Sequence, residues 1–112
     1  DDPADLPDYV LPATLAVARG EADRGIFVDG VGYGSAMIAN KVAGVRAALC
    51  LDAQTAAGAR RWNHANALAL SLRATSEAEL AEILDAWFAG SASSEDDDRA
   101  NVEHLGEIED GG

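Results

Sequence analysis

Basic residues are scarce in this 112-residue sequence: Lys and Arg together number 8 against 20 acidic residues, giving a formal net charge of −12. Such a surface repels a phosphate backbone, which argues against nucleic acid as a partner. Cysteine is nearly missing as well. Cys50 alone cannot form an internal disulfide, and this fits a reducing cytoplasm. No uninterrupted apolar run approaches the roughly 18 residues a membrane span requires. The opening residues, Asp1-Asp2-Pro3-Ala4-Asp5, lack the basic-then-apolar order of a secretory signal. These absences together predict a soluble cytoplasmic protein that binds neither membrane nor nucleic acid.

What is present is enough apolar material for one core, 48% of the residues. Val10, Leu11, Leu15, Ala16 and Val17 share a helical face between Tyr9 and about Arg19; Pro12 is tolerable near the first turn and Gly20 is a natural stop. Gly25-Ile26-Phe27-Val28-Asp29 is a short apolar run between glycines and reads as a central parallel strand. Gly30-Val31-Gly32-Tyr33-Gly34 follows, and then a helix over Ser35 to Lys41 that Ser35 can cap. A second strand is predicted over Val45–Cys50, a helix over Ala53–Arg61, and a third, weaker strand over Ala67–Leu70. Ser76 and Glu79 form a capping box ahead of Leu80, Ile83, Leu84 and Trp87, which fall on one helical face ending at Gly90. The run Glu95-Asp96-Asp97-Asp98 reads as a solvated loop, and Val102, Leu105 and Ile108 as a short tail helix.

Strands alternating with helices predict an α/β fold, a three-layer parallel sheet with helices on both faces, in which ligands sit beyond the carboxyl ends of the strands. The expected division is an α/β domain over residues 1–90, then an acidic linker and tail helix over 91–112. Asp29, Asp52 and Ser71 all fall at strand ends.

A glycine loop that leads into a helix can aim free amides at an anion. In an aldose–ketose isomerase that anion is the enediolate left when a base removes a carbon-bound proton. Two other readings stay open. The glycines could simply form a tight strand-to-helix turn. They could also serve a dinucleotide, because Asp52 lies about 20 residues on, although G-x-G-x-G is one residue short of that fingerprint.

The stretch from Gly20 to Ile26, the loop Gly30-Val31-Gly32-Tyr33-Gly34 and the block Ala39-Asn40-Lys41-Val42-Ala43-Gly44-Val45-Arg46-Ala47-Ala48 resemble the ribose-5-phosphate isomerase B family, as do Asn63, Asn66, Arg73 and Asp85-Ala86-Trp87. Within it, Val28-Asp29 and Gly34-Ser35-Ala36-Met37 look most like the A subunit of galactose-6-phosphate isomerase, where an Asp also replaces the usual cysteine base. The resemblance implies a Rossmann-like (flavodoxin-like) sheet whose first strand–helix unit is missing from these residues. It also implies no metal, no organic cofactor, and active sites between subunits of a homodimer or homotetramer, or of a hetero-oligomer with a paralogue.

By this resemblance Asp29 is the candidate base and His64 a substitute acid, since Trp62 stands where the family's histidine is expected. Gly30, Gly32, Gly34, Ser35 and Asn63 would hold the sugar, and Arg73 its phosphate, for which a guanidinium offers paired donors. Departures include Val31 for a threonine, Ser35 for a glutamate found in some members, and Asp97 and Asn101 where tail arginines are expected. The competing roles are local: Asp29 capping backbone amides, Asn63 forming a turn, Arg73 in a surface ion pair, His64 idle in a loop. The expected activity is isomerisation of a ribose-5-phosphate or galactose-6-phosphate type sugar, by this chain or by a pair in which it is a catalytically degenerate partner.

Overall fold

A computed structural model describes residues 5–111. Five helices and three strands run in the order α1 (Leu6–Ala18), β1 (Gly25–Asp29), α2 (Tyr33–Ala39), β2 (Ala47–Leu49), α3 (Ala53–Asn63), β3 (Ala67–Ser71), α4 (Glu77–Ala89) and α5 (Asp96–Glu109). The strands form one parallel sheet in the order β1-β3-β2. Cys50, Ala56, Leu68, Leu70, Ile83 and Trp87 fill the layer between β3 and the pair α3 and α4. On the other face Val10, Val17, Phe27, Ala39, Val45 and Ala67 pack α1 and α2 against the sheet. The three-layer α/β architecture is therefore as expected.

Strand ranks are reversed from the sequence expectation. β3, read as the weaker third strand, is the centre of the described sheet, and all five of its residues are buried. β1, read as central, pairs on one side only; Ile26 and Val28 stay 40% and 53% exposed. A centre strand covered on both faces needs residues small enough to admit helices on each side, and alternating Ala and Leu supplies them.

Three further expectations shift. α1 starts at Leu6 rather than Tyr9, so Pro12 lies inside it and removes one backbone donor from the interior. The buried Thr14 hydroxyl donates to the Val10 carbonyl at 2.8 Å. α2 starts at Tyr33 with Gly32 as its N-cap, which places Ser35 in the first turn rather than at the cap. Glu95 to Asp98 are not a loop: Glu95 is the N-cap and Asp96–Asp98 the first turn of α5, where negative charge opposes the helix dipole favourably. The capping box is as read, with the Glu79 amide donating to Ser76 Oγ at 3.2 Å and the Ser76 amide to Glu79 Oε1 at 3.2 Å.

Two asparagines pair with backbone around β2, one on its free side and one between it and β3. Asn40 donates to the Ala47 carbonyl at 2.9 Å and accepts from the Ala47 amide at 2.7 Å, imitating a neighbouring strand beside β2. Asn66, just before β3, extends the β3–β2 pairing: its side chain donates to the Gly44 carbonyl at 2.9 Å and accepts from the Arg46 amide at 2.7 Å. Among the described residues no helix is long and apolar enough to cross a membrane.

Candidate functional site

The carboxyl ends of β1 and β3 lie side by side, with Asp29 in register with Ser71. Beyond them the chain turns twice, once through Gly30–Gly32 into α2 and once through Leu72–Ala74 towards α4. Backbone bonds tie the turns: the Leu72 amide donates to the Asp29 carbonyl at 2.9 Å, and the Arg73 amide to the Gly30 carbonyl at 3.1 Å. Asp29, the glycine loop, Ser35 and Arg73 are thus brought to one place, with the Arg73 side chain exposed.

The glycines divide by role. Gly32 has φ +86°, a left-handed conformation, and a side chain there would run into Leu49 and the Leu70 backbone, 3.1 Å away. Gly34 lets Leu6 of α1 approach, since an added carbon would sit 2.9 Å from its methyl group. Nothing lies within 4 Å of the same position at Gly30, which faces open space. Two of the three therefore serve the chain's own packing, and the third is exposed.

Asp29 occupies much of the amide cradle itself. Its Oδ1 accepts from the Val31 amide at 3.0 Å and from the Gly32 amide, and its Oδ2 from the Ser35 amide at 3.2 Å. A helix start leaves its first four amides without intrahelical acceptors. Here the carboxylate takes those of Gly32 and Ser35, which leaves the Tyr33 and Gly34 positions to other acceptors. The Ser35 hydroxyl has one proton and two acceptors in reach, the Gly32 carbonyl at 3.1 Å and the Asp29 carboxylate. Burial pushes the Asp29 carboxyl up, but the Ser35 hydroxyl and the amides of Gly32, Ser35 and Val31 outweigh it and hold the group below the ordinary carboxylate range. A group so stabilised in its charged form is a weaker proton acceptor than a free carboxylate.

Asn63 and His64 are elsewhere. They end α3, and the chain then enters β3 from its amino end, where the Gly25 amide donates to the Asn66 carbonyl at 2.9 Å. A five-residue strand separates that end from Asp29 by roughly 13 Å. His64 is the left-handed C-cap of α3, with φ 50°; its carbonyl accepts from Arg46 Nε at 2.9 Å and its ring Nε2 lies 3.2 Å from the Ser93 carbonyl. Asn63 lines a cavity of about 450 Å³ along β2 and α5 with Asn40, Arg46, Asn101, Leu105 and Glu109. Within one chain the structure does not bring Asn63 or His64 to Asp29. The signal was available in the sequence, since residues that precede a strand lie at the opposite end of a parallel sheet from residues that follow one.

The remaining candidates have local roles. Trp62 is 56% exposed and lies over Gly58, where an added carbon would sit 2.8 Å from its ring. Asp52 caps α3 by accepting from the Thr55 amide at 2.7 Å. Cys50 is buried, and its burial together with the Asp52 charge pushes the thiol up to about 11, so it stays protonated. Among the described residues no three His, Cys, Asp or Glu side chains are grouped to hold a metal ion.

A family model described as Ribose/Galactose Isomerase matches residues 1–105. A ribose-5-phosphate isomerase B from Escherichia coli is 44% identical over 84 residues, covering 74% of this chain and 56% of the relative. A galactose-6-phosphate isomerase subunit from Clostridium acetobutylicum is 40% identical over 81 residues, 72% of this chain and 47% of that one. The chain spans about half the length of the curated relatives it matches. Among solved structures, the type B ribose 5-phosphate isomerase of Trypanosoma brucei superposes with a TM-score of 0.91 at 44% identity, over 96% of this chain and 72% of that one. The ribose-5-phosphate isomerase B of Mycoplasma genitalium with bound ribulose-5-phosphate gives 0.89 at 32% identity, over 98% and 72%.

Proposed function

The chain belongs to the ribose/galactose isomerase family, and from that premise we propose that it forms part of an aldose–ketose isomerase acting on a pentose or hexose phosphate. The observation that carries the reading is the convergence of Asp29, the open side of the loop at Gly30, and exposed Arg73 at the carboxyl ends of two parallel strands. Arg73 offers paired donors to a phosphate. Asp29 would take the proton from the carbon next to the carbonyl, amides of the α2 start would hold the enediolate while the hydroxyl proton passes to the former carbonyl oxygen, and Asp29 would then return its proton to the former carbonyl carbon.

Asn63 and His64 fit this site only from another copy or a paralogue, because one chain holds them at the far end of its own sheet. The proposal therefore includes an oligomer in which the end of α3 of one subunit faces the Asp29 loop of the next. A second reading, a catalytically weak partner subunit, is favoured by the same carboxylate: its oxygens are already engaged by three amides and the Ser35 hydroxyl.

The test is exchange of the C2 proton of pentose and hexose phosphates with deuterated water, followed by NMR. Exchange by the wild type that Asp29→Asn abolishes supports Asp29 as base. Asparagine keeps an acceptor oxygen for the Val31 and Gly32 amides, so the loop's main support survives while the basic group is lost. Full exchange by that variant removes Asp29 from the mechanism, and exchange only after a paralogue is added establishes the partner reading.

A further inference from the structure

Ser71 is a hydroxyl at the end of a strand whose other residues are Ala and Leu, and it is buried to 4% exposure. A buried hydroxyl costs stability unless both its donor and its acceptor capacity are used. Both are used here. Ser71 Oγ donates to the Gly30 carbonyl at 3.2 Å and accepts from the Ala74 amide at 3.1 Å. The Gly30 carbonyl also receives the Arg73 amide at 3.1 Å, and the Asp29 carbonyl the Leu72 amide at 2.9 Å. The loop that caps Asp29 and the turn that carries Arg73 are therefore stitched together, and Ser71 supplies the side-chain stitch at its centre.

We propose that Ser71 is a positioning residue: its hydroxyl clips the Gly30 carbonyl to the Ser71–Ala74 turn, and so fixes the separation between the Asp29 carboxylate and the Arg73 guanidinium. This inference rests on the reading that those two groups face one sugar phosphate. On that reading the clip is a ruler. Pentose and hexose phosphates of this type differ by one carbon between the reacting carbonyl and the phosphate, so two loops held at one spacing favour one length, whereas loosened loops accept either. Discrimination of one methylene by a pocket is typically about 10- to 200-fold, which bounds what a ruler of this kind can deliver.

The experiment has two arms and uses the full chain as wild type, Ser71→Ala and Ser71→Thr. The first follows the Asp29 side-chain carboxyl carbon by NMR as pH is lowered. No charged side chain contributes to its acidity, which is set by burial, the Ser35 hydroxyl and three loop amides. Loosening the loop in Ser71→Ala should therefore raise the titration midpoint towards the ordinary value, and Ser71→Thr should restore it. An unmoved midpoint in folded Ser71→Ala overturns the clip.

The second arm compares kcat/KM for pentose and hexose phosphates. Ser71→Ala should flatten the preference by at least about threefold, mainly through KM for the favoured sugar. A moved midpoint with an unchanged preference overturns the ruler. A moved midpoint with a wild type inert towards every sugar phosphate, both alone and with a paralogue added, upholds the clip and refutes instead the isomerase reading on which the ruler rests.

Discussion

The two ends of the sheet solve opposite problems. At the carboxyl ends, backbone amides converge on the carboxylate of Asp29. At the amino ends, guanidinium groups converge on backbone carbonyls: Arg24 donates to the Trp87 carbonyl, Arg46 to that of His64, and Arg60 to that of Ala65. The carboxyl end is exposed at Gly30, whereas the amino end gathers its guanidinium groups around the buried Trp87, whose ring lies 5.9 Å from the Arg24 guanidinium and 5.3 Å from that of Arg60. Burial and mutual repulsion with Arg24 and Arg46 push the Arg60 group down. An end that tolerates clustered like charge in order to satisfy carbonyls is built for rigidity. An end that surrounds one carboxylate with dipoles, without a charged partner, is built to hold that carboxylate ionised.

The strongest way to break this contrast is to remove its rigid member. Trp87→Ala should cost about 3 to 5 kcal/mol in denaturant unfolding, because a fully buried indole is lost and two guanidiniums lose their platform. If the ends are independent, the Asp29 titration in the folded variant stays as in the wild type. Gly32→Ala attacks the other end. It forces a side chain into a left-handed position against Leu49 and the Leu70 backbone, and should cost about 1 to 3 kcal/mol while displacing the amides that hold Asp29. A variant as stable as the wild type, with Asp29 titrating unchanged, would mean the loop does not depend on that glycine.

Much of the architecture was legible because it follows from local pattern. The capping box at Ser76 and the β1 boundaries, Gly25–Asp29, needed only turn chemistry and apolar runs. Strand rank was not legible: Ala67–Leu70 looks weak because a centre strand covered on both faces must use small residues, and β1 looks central because exposure at an edge depends on neighbours that a single segment does not reveal. The acidic run Glu95–Asp98 opens α5 instead of forming a loop, and its signal is present in the sequence, since carboxylates directly ahead of an apolar periodicity favour a helix start. Asp29 posed a subtler problem. The sequence offers both a base and a cap, and which amides its oxygens reach is fixed by the left-handed turn at Gly32, a property of the folded loop. Ser71 could have been singled out from its pattern, a hydroxyl closing an otherwise apolar strand.

The smallest expected effect sharpens the comparison most, because it isolates charge from shape. Asp29 is held below the ordinary carboxylate range in the folded chain, so its contribution to stability is complete above the unfolded aspartate value, about 3.9, and is lost as pH falls through the lower folded value. Asp29→Ala removes both cap and charge, and should cost about 1 kcal/mol at neutral pH. Asp29→Asn keeps an acceptor for the Val31 and Gly32 amides and should cost less at neutral pH. Like alanine, it should also erase this share of the acid sensitivity, so that its stability and that of the wild type converge as the pH is lowered. Denaturant midpoints of the three proteins between neutral pH and about pH 2.5 read this directly. A wild-type curve that stays parallel to the Asp29→Asn curve throughout would mean the amides hold the side chain by shape alone, and the carboxyl end would lose its claim to be the charge-holding end of the sheet.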